Sequence, residues 1–469
     1  MKKITGFLLV ISLLFSLIPT AFAMPVPEAV SEEMYRADYW LGPERAQAAA
    51  ARQPIMSPEQ IAAFNEANRA MIDLGNGVSL SLEDIGEYIS GDVVRLLLSF
   101  CRWPDNYDKL YVNGMIQPQP YWDALSASLA YERVADQVQV RFGYSLARDD
   151  LRLFPTSDFA GVTADEKLYD KLVMSEFMPL LPLAVLHESA DGNWYYVVMY
   201  GFCGWIEKER VGLCRSREDW LSRMKNSNVL VVTGRELRLP EDPYCPELSS
   251  LVLPMGTAMP LTSGDEELIL GRRRGYACHT VVLPTRGEDG YIVDRLAFVP
   301  VSDDVSVGYL PYTAENELRL AFKFLGDRYG WAGMFSSNDC SGLIHQVFAC
   351  FGFCLPRTAA AIMKVQGFAA LDLSPYSVTE KLVGLESLSA GTLLGFPGHI
   401  MVYLGSVDGK AYVLSSTGSF GPSEVPAGYD FSVNGVCVNS LAHTRRKTGL
   451  NWLESLDSAL LCADGATNW

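Results

Sequence analysis

Hydrophobic spacing changes twice along this chain, and that change limits what it can fold into. Ser57-Pro58-Glu59-Gln60 reads as a helix start, with a capping serine, proline in the first turn and glutamine three residues on. Ile61, Phe64, Ala67, Met71 and Leu74 then recur at intervals of three and four, as on a helix with one buried stripe. From about residue 147 the apolar runs shorten to strand length and are punctuated by turn signals. Leu151–Phe154, Pro182–His187, Trp194–Val198 across an Asp191-Gly192 hairpin, and Gly204–Ile206 form one such group. A second group runs from Asn228 to about Gly308, with Val229–Thr233, Val281–Leu283 and Gly290–Val293. Ser216–Lys225 between them has helical spacing. Each group fits a small barrel. After about residue 309 helices come first and strands afterwards. Thr313 caps a helix with Leu318, Phe322 and Leu325 on one face, and a hairpin turns near Asp408-Gly409.

The pattern predicts a multidomain α+β chain. Its expected parts are a helical region at 24–146, two small β-barrels at 147–227 and 228–308, and an α+β unit at 309–469. For 469 residues, 49% of them hydrophobic, three or four domains is the expected number.

Charge narrows the partners. The balance is 38 − 55 = −17, which repels phosphate backbones and anionic lipid, so nucleic acid is not an expected partner. The one tight basic cluster, Arg272-Arg273-Arg274, reads as a solvated strand end. Lys2 and Lys3, the apolar run Phe7–Ile18, and Ala21-Phe22-Ala23 have the layout of a secretory signal at 1–23, cleaved after Ala23. The mature chain is expected to be exported, soluble without a membrane span, and monomeric. Ten cysteines are scattered without a C-x-x-C pair, and there are five histidines. Neither a metal nor another cofactor is expected, and disulfide connectivity is left open.

Cys340 stands where a thiol becomes a nucleophile. It opens a helix whose apolar face is Leu343, Ile344, Val347, Phe348 and Phe351. Free N–H groups at a helix start stabilise a thiolate and, later, an oxyanion. Gly342 would let a substrate backbone approach. His399, after Gly398 at a strand start, is the matching general base. Taken alone, each residue also has a bland reading: a buried or disulfide-bonded cysteine, and a satisfied core histidine.

Four separate motifs add to this. Tyr329-x-Trp331, Asp339-Cys340-Ser341-Gly342, Leu355-Pro356-Arg357 and Gly398-His399-Ile400-x-Val402-Tyr403-Leu404-Gly405 resemble, in order and rough spacing, the NlpC-type papain-like cysteine peptidases of bacterial cell walls. The resemblance covers roughly residues 309–460. Phe154-Pro155-Thr156, Asp191-Gly192-x-Trp194 and Gly204-Trp205 are similar to the first bacterial SH3-type domain of multidomain relatives, so the two barrels would be SH3-like. The resemblance implies an exported γ-D-glutamyl-L-diamino acid endopeptidase, in the periplasm or cell envelope, acting on murein stem peptides with a free N-terminal L-Ala. Cys340 would be the nucleophile and His399 the base. Asp339 and Ser341 would hold the substrate ammonium, Thr358 would line the site, and Tyr169 is a candidate lining residue from the first SH3-like unit. Asp339 equally reads as a helix N-cap. A carboxylate beside a thiolate needs a cation, which the substrate ammonium would supply.

The family's third catalytic position is usually a histidine. Alignment on Tyr412-Val413-Leu414 puts Ser415 there, a strict two-residue turn at Asp408-Gly409 favours Ser416, and His443 reads as a surface residue. A muramoyl-L-alanine amidase and a degenerate wall-binding protein are the competing functions.

Overall fold

The computed structural model describes residues 30–41, 50–262, 268–421, 431–445 and 448–462. The signal segment expected at 1–23 and its cleavage point lie outside the described residues. Helix α1 (Pro58–Ala67) begins at the capping box, with the Ser57 hydroxyl accepting from Gln60 N and the Gln60 side chain accepting from Ser57 N. Asn68 ends it, donating from Nδ2 to the Phe64 carbonyl. The helical spacing that continues to Met71 and Leu74 is therefore misleading. Met71–Gly75 is a strand paired with Val78–Ser81 across Asn76-Gly77, both of which have positive φ. Helices α2 (Gly91–Leu98) and α3 (Gln119–Ala127) complete a region that interleaves helices with short hairpins.

The first strand-rich unit has seven strands: β1 (Arg141–Ser145), β2 (Asp149–Arg152), β3 (Val173–Phe177), β4 (Pro182–Glu188), β5 (Trp194–Val198), β6 (Cys203–Glu207) and β7 (Val211–Leu213). Their order is β3-β2-β6-β5-β4-β1-β7. Strand β1 precedes residue 147, so this sheet starts earlier than the turn signals alone suggest. Helix α4 (Arg217–Met224), capped by Ser216, leads to a second sheet. Its strands are β8 (Val229–Val232), β9 (Ala258–Thr262), β10 (Cys278–Arg286), β11 (Ile292–Pro300) and β12 (Val305–Val307), in the order β11-β10-β9-β8-β12.

The C-terminal unit puts α5 (Ala314–Phe322) and α6 (Cys340–Ala349) before a six-stranded sheet. Its strands are β13 (Ala369–Asp372), β14 (Leu393–Phe396), β15 (His399–Val407), β16 (Lys410–Phe420), β17 (Phe431–Ser440) and β18 (Ser458–Leu461), ordered β13-β18-β14-β15-β16-β17. Period-two alternation sends successive residues to opposite faces. Ile400, Val402 and Leu414 join Leu343, Ile344 and Val347 of α6 in one core, while Met401, Tyr403 and Val413 join Leu385 and Trp452 in another. Among the described residues no helix is long and apolar enough to cross a membrane.

Candidate active site

Asp339 is the N-cap of α6 and Cys340 its first residue. The Asp339 Oδ1 accepts from Gly342 N at 2.7 Å, satisfying one of the free donors of the first turn. The backbone N–H of Ile400, the residue after His399, is near enough to the Cys340 thiol to favour its ionised form. Burial, then the Asp339 carboxylate, pushes this thiol up to about 12, against the opposing pull of the Ile400 N–H and Arg357. His399 is driven the other way, to about 4, by burial and then by the positive charge of Arg445. At neutral pH Cys340 is therefore a thiol and His399 a neutral imidazole.

The imidazole is boxed by aromatics. It stacks on Phe396 at 5.2 Å between ring centroids and meets the edge of Trp452 at 5.1 Å. Its Nε2 lies 3.0 Å from the Ser415 hydroxyl, which leaves Nδ1 free of that bond. A β-bulge sets which of Ser415 and Ser416 faces His399. The turn at Asp408-Gly409 starts the register at Val407↔Lys410, and an irregularity between Tyr403 and Gly405 shifts it to Tyr403↔Val413 and Val402↔Leu414. That one-residue slip turns Ser415 to the face that carries His399 and sends Ser416 to the other. Ser416 there donates to the Asn338 carbonyl at 2.7 Å. His443 is not a surface residue. It is 1% exposed and stacks on Phe420 at 4.3 Å, because Trp452 N bonds its carbonyl and folds the segment back over the sheet.

The cation beside Asp339 is already in the protein. Arg357 forks onto both carboxylate oxygens, Nη1 to Oδ1 at 2.9 Å and Nη2 to Oδ2 at 3.0 Å. Burial alone would raise the Asp339 carboxyl, but Arg357, with the Gly342 N–H and the Ser341 hydroxyl, holds it below the usual carboxylate range. Ser341 is buried and bridges the pair, donating to Asp339 at 3.1 Å and accepting from Arg357 at 3.0 Å. Gly342 serves this cluster rather than an open approach. A Cβ there would stand 3.1 Å from Asp339 Oδ1 and 3.2 Å from Glu176 Oε1. Thr358 is exposed and caps a short helix through Ala361 N.

Glu176, on β3 of the first sheet, extends the cluster across units. It accepts from Arg357 at 3.2 Å and from Arg148 Nε at 2.7 Å. Tyr169 also reaches over. Its ring lies 5.8 Å from that of Trp331 and 6.5 Å from that of Tyr329, and its hydroxyl covers Gly418 of β16. Arg357 stood in a quoted motif but had no role assigned to it. Glu176 and Arg148 were missed, although a carboxylate inside the apolar run Val173–Phe177 is a signal of buried pairing.

Residues 326–419 match the NlpC/P60 family, and residues 158–207 match an SH3 domain of the SH3b1 type. Over 262 residues the chain is 22% identical to dipeptidyl-peptidase 6 of Lysinibacillus sphaericus, covering 55% of this chain and 85% of that protein. Its fold is similar to that of an NlpC/P60 endopeptidase from Photobacterium damselae subsp. piscicida, with a TM-score of 0.65 at 15% identity over 89% of this chain and 96% of that one. The helix that starts at Cys340 and the hairpin that joins His399 to Ser415 fall inside the segment that matches the NlpC/P60 family, so the chain carries an NlpC/P60 domain with an SH3 domain of bacterial type ahead of it.

Proposed function

We propose that this protein is an exported cysteine peptidase of the cell envelope. It would cut the γ-D-glutamyl-L-diamino acid bond of peptidoglycan stem peptides that begin with a free L-Ala. The observation that carries the reading is the convergence of Cys340 at a helix start, the Ile400 N–H near its sulfur, and His399 held by Ser415 at 3.0 Å. In this mechanism the neutral His399 takes the thiol proton at Nδ1 and the thiolate attacks the γ-carbonyl carbon. N–H groups at the start of α6 receive the oxyanion. The departing amine takes the proton back from the imidazolium. A water activated by His399 then hydrolyses the thioester and releases a dipeptide. The name of the Lysinibacillus relative, a dipeptidyl-peptidase, supports removal of an N-terminal dipeptide.

Asp339 and Ser341 are proposed to receive the substrate ammonium, with Tyr169 and Thr358 lining its approach. Among the described groups Asp339 Oδ2 accepts only from Arg357, so it has a lone pair for a second donor. Peptides beginning with free L-Ala should be cut and sugar-linked stems should not. Equal rates on the two would refute this specificity. Mass spectrometry of digested peptidoglycan fragments is the experiment that tests the function. New ends at γ-D-Glu support it, and release of the intact stem from the sugar would mean an amidase instead. A second reading, a wall-binding protein without catalysis, is favoured by the raised thiol and by serine at the third position. Uncut fragments together with retention on sacculi would establish it.

Ser415 is proposed to fix the imidazole, with Nε2–H donating to its hydroxyl. A neutral hydrogen bond contributes roughly 0.5–1.5 kcal/mol, so Ser415→Ala should lower kcat by about tenfold or less. Ser415→His should keep or raise it. In parallel pH–rate profiles, collapse of activity in His443→Ala alone would give the third role to His443.

A further inference from the structure

Arg148 lies between β1 and β2 of the first sheet, and its side chain is 10% exposed. Both terminal nitrogens of its guanidinium donate to the other unit. Nη1 donates to the Ser336 carbonyl at 2.8 Å, and Nη2 to the Ser337 carbonyl at 2.7 Å and to Asn338 Oδ1 at 3.0 Å. Nε donates to Glu176 Oε2 at 2.7 Å. The acceptors at 336–338 immediately precede Asp339 and Cys340. Asn338 is a junction in its own right: its Oδ1 also accepts from Gln346 of α6 at 2.7 Å, and its carbonyl accepts from Ser416 of β16. Glu176, 2% exposed at its side chain, passes the connection to Arg357 and so to Asp339. Two arginines and two carboxylates alternate from one unit to the other. The turn at residues 332–336 leans on the same carboxylate: Gly333 has φ +95°, and a Cβ there would collide with Glu176.

We propose that Arg148 is a positioning residue for Cys340, contributed by the SH3-type unit. It pins the 336–338 turn that sets the N-terminus of α6, and it shares Glu176 so that Arg357 stays on Asp339. Arg148 acts through these groups and contacts no reacting atom. The inference rests on the proposed peptidase reading. Removing its guanidinium leaves Glu176 free to draw Arg357 from Asp339. The field at the sulfur becomes more negative and the thiolate harder to form.

The test compares Arg148→Met and Arg148→Lys with the full-length wild type, using kcat and KM on a free-L-Ala stem peptide. Iodoacetamide labelling of the Cys340 peptide at pH 8 is followed by mass spectrometry, with exposed Cys354 as internal control. In Arg148→Met, kcat should fall at least about tenfold with KM within about twofold, since misplacement of a reacting group penalises turnover. Cys340 labelling should slow at least about threefold while Cys354 labelling holds, in keeping with loss of one nearby positive charge. Arg148→Lys keeps the charge on Glu176 but cannot reach three oxygens at once, so labelling should recover while kcat remains low. Wild-type kcat in both variants, or a change confined to KM, overturns the proposal. Failure of the variants to fold assigns Arg148 a structural role and overturns it too. If Cys340→Ala retains activity, the peptidase reading fails whatever Arg148 does.

Discussion

Cys340→Ala should abolish hydrolysis while leaving the fold intact, and His399→Ala should be nearly as severe. The second expectation follows from the charge states of the pair. With the thiol pushed up to about 12, the thiolate fraction at pH 7 without help is on the order of 10⁻⁵. A base must therefore remove the proton as the sulfur attacks, and His399 is held neutral for that task because burial and then Arg445 lower it to about 4. Loss of a nucleophile or its base costs roughly 10⁴-fold or more in kcat. Alanine at Cys340 deletes only the sulfur of a helix-start residue, so circular dichroism and the thermal midpoint should be unchanged. Full residual turnover in either variant, measured as kcat/KM on a stem peptide, would remove the mechanism.

Much of this arrangement was legible in the sequence, for local reasons. Ser57 and Thr313 cap helices by chemistry that needs only the next three residues, and both do so here. Asp191-Gly192 and Asp408-Gly409 supply the positive φ that hairpin turns require. Cys340 and His399 stood out because each starts an element. Three kinds of feature were not legible. The bulge at Leu404 leaves no residue-level mark, yet it sets which of Ser415 and Ser416 shares a face with His399. The hairpin at 71–81 is hidden because its apolar residues happen to continue the helical spacing of α1. The partner of Asp339 depends on which side chains are brought together over 18 and 163 residues of sequence, from Arg357 and Glu176. Arg357 is the one arginine or lysine in the four peptidase motifs, and so the one fixed cation among them that could face Asp339.

Arg357→Met should destabilise the protein by about 3–5 kcal/mol at neutral pH, the usual cost of stripping one partner from a buried ion pair. The loss falls on Asp339, because Glu176 keeps Arg148 whereas Asp339 has no other cation within salt-bridge distance among the described residues. The pH dependence has a definite sign. In the wild type the Asp339 carboxyl is held below its ordinary value, so it contributes stability above the unfolded carboxylate pKa and loses it as pH falls through the folded value. In the variant burial dominates and raises the carboxyl, so the penalty is largest where the unfolded chain would be ionised and fades in acid. The stability gap between the two proteins should thus be widest near pH 7, narrow as pH falls through the variant's raised carboxyl value, and go on narrowing below about pH 4 toward the wild type's lowered one. Met is close to Arg in length and keeps the packing of the stem, which isolates the charge from the cavity. Urea unfolding at pH 7 and pH 3.5 measures the gap directly. A gap that stays constant across that range would mean that Arg357 contributes through packing alone, and that the carboxylate at the start of the Cys340 helix is neutralised by some other means.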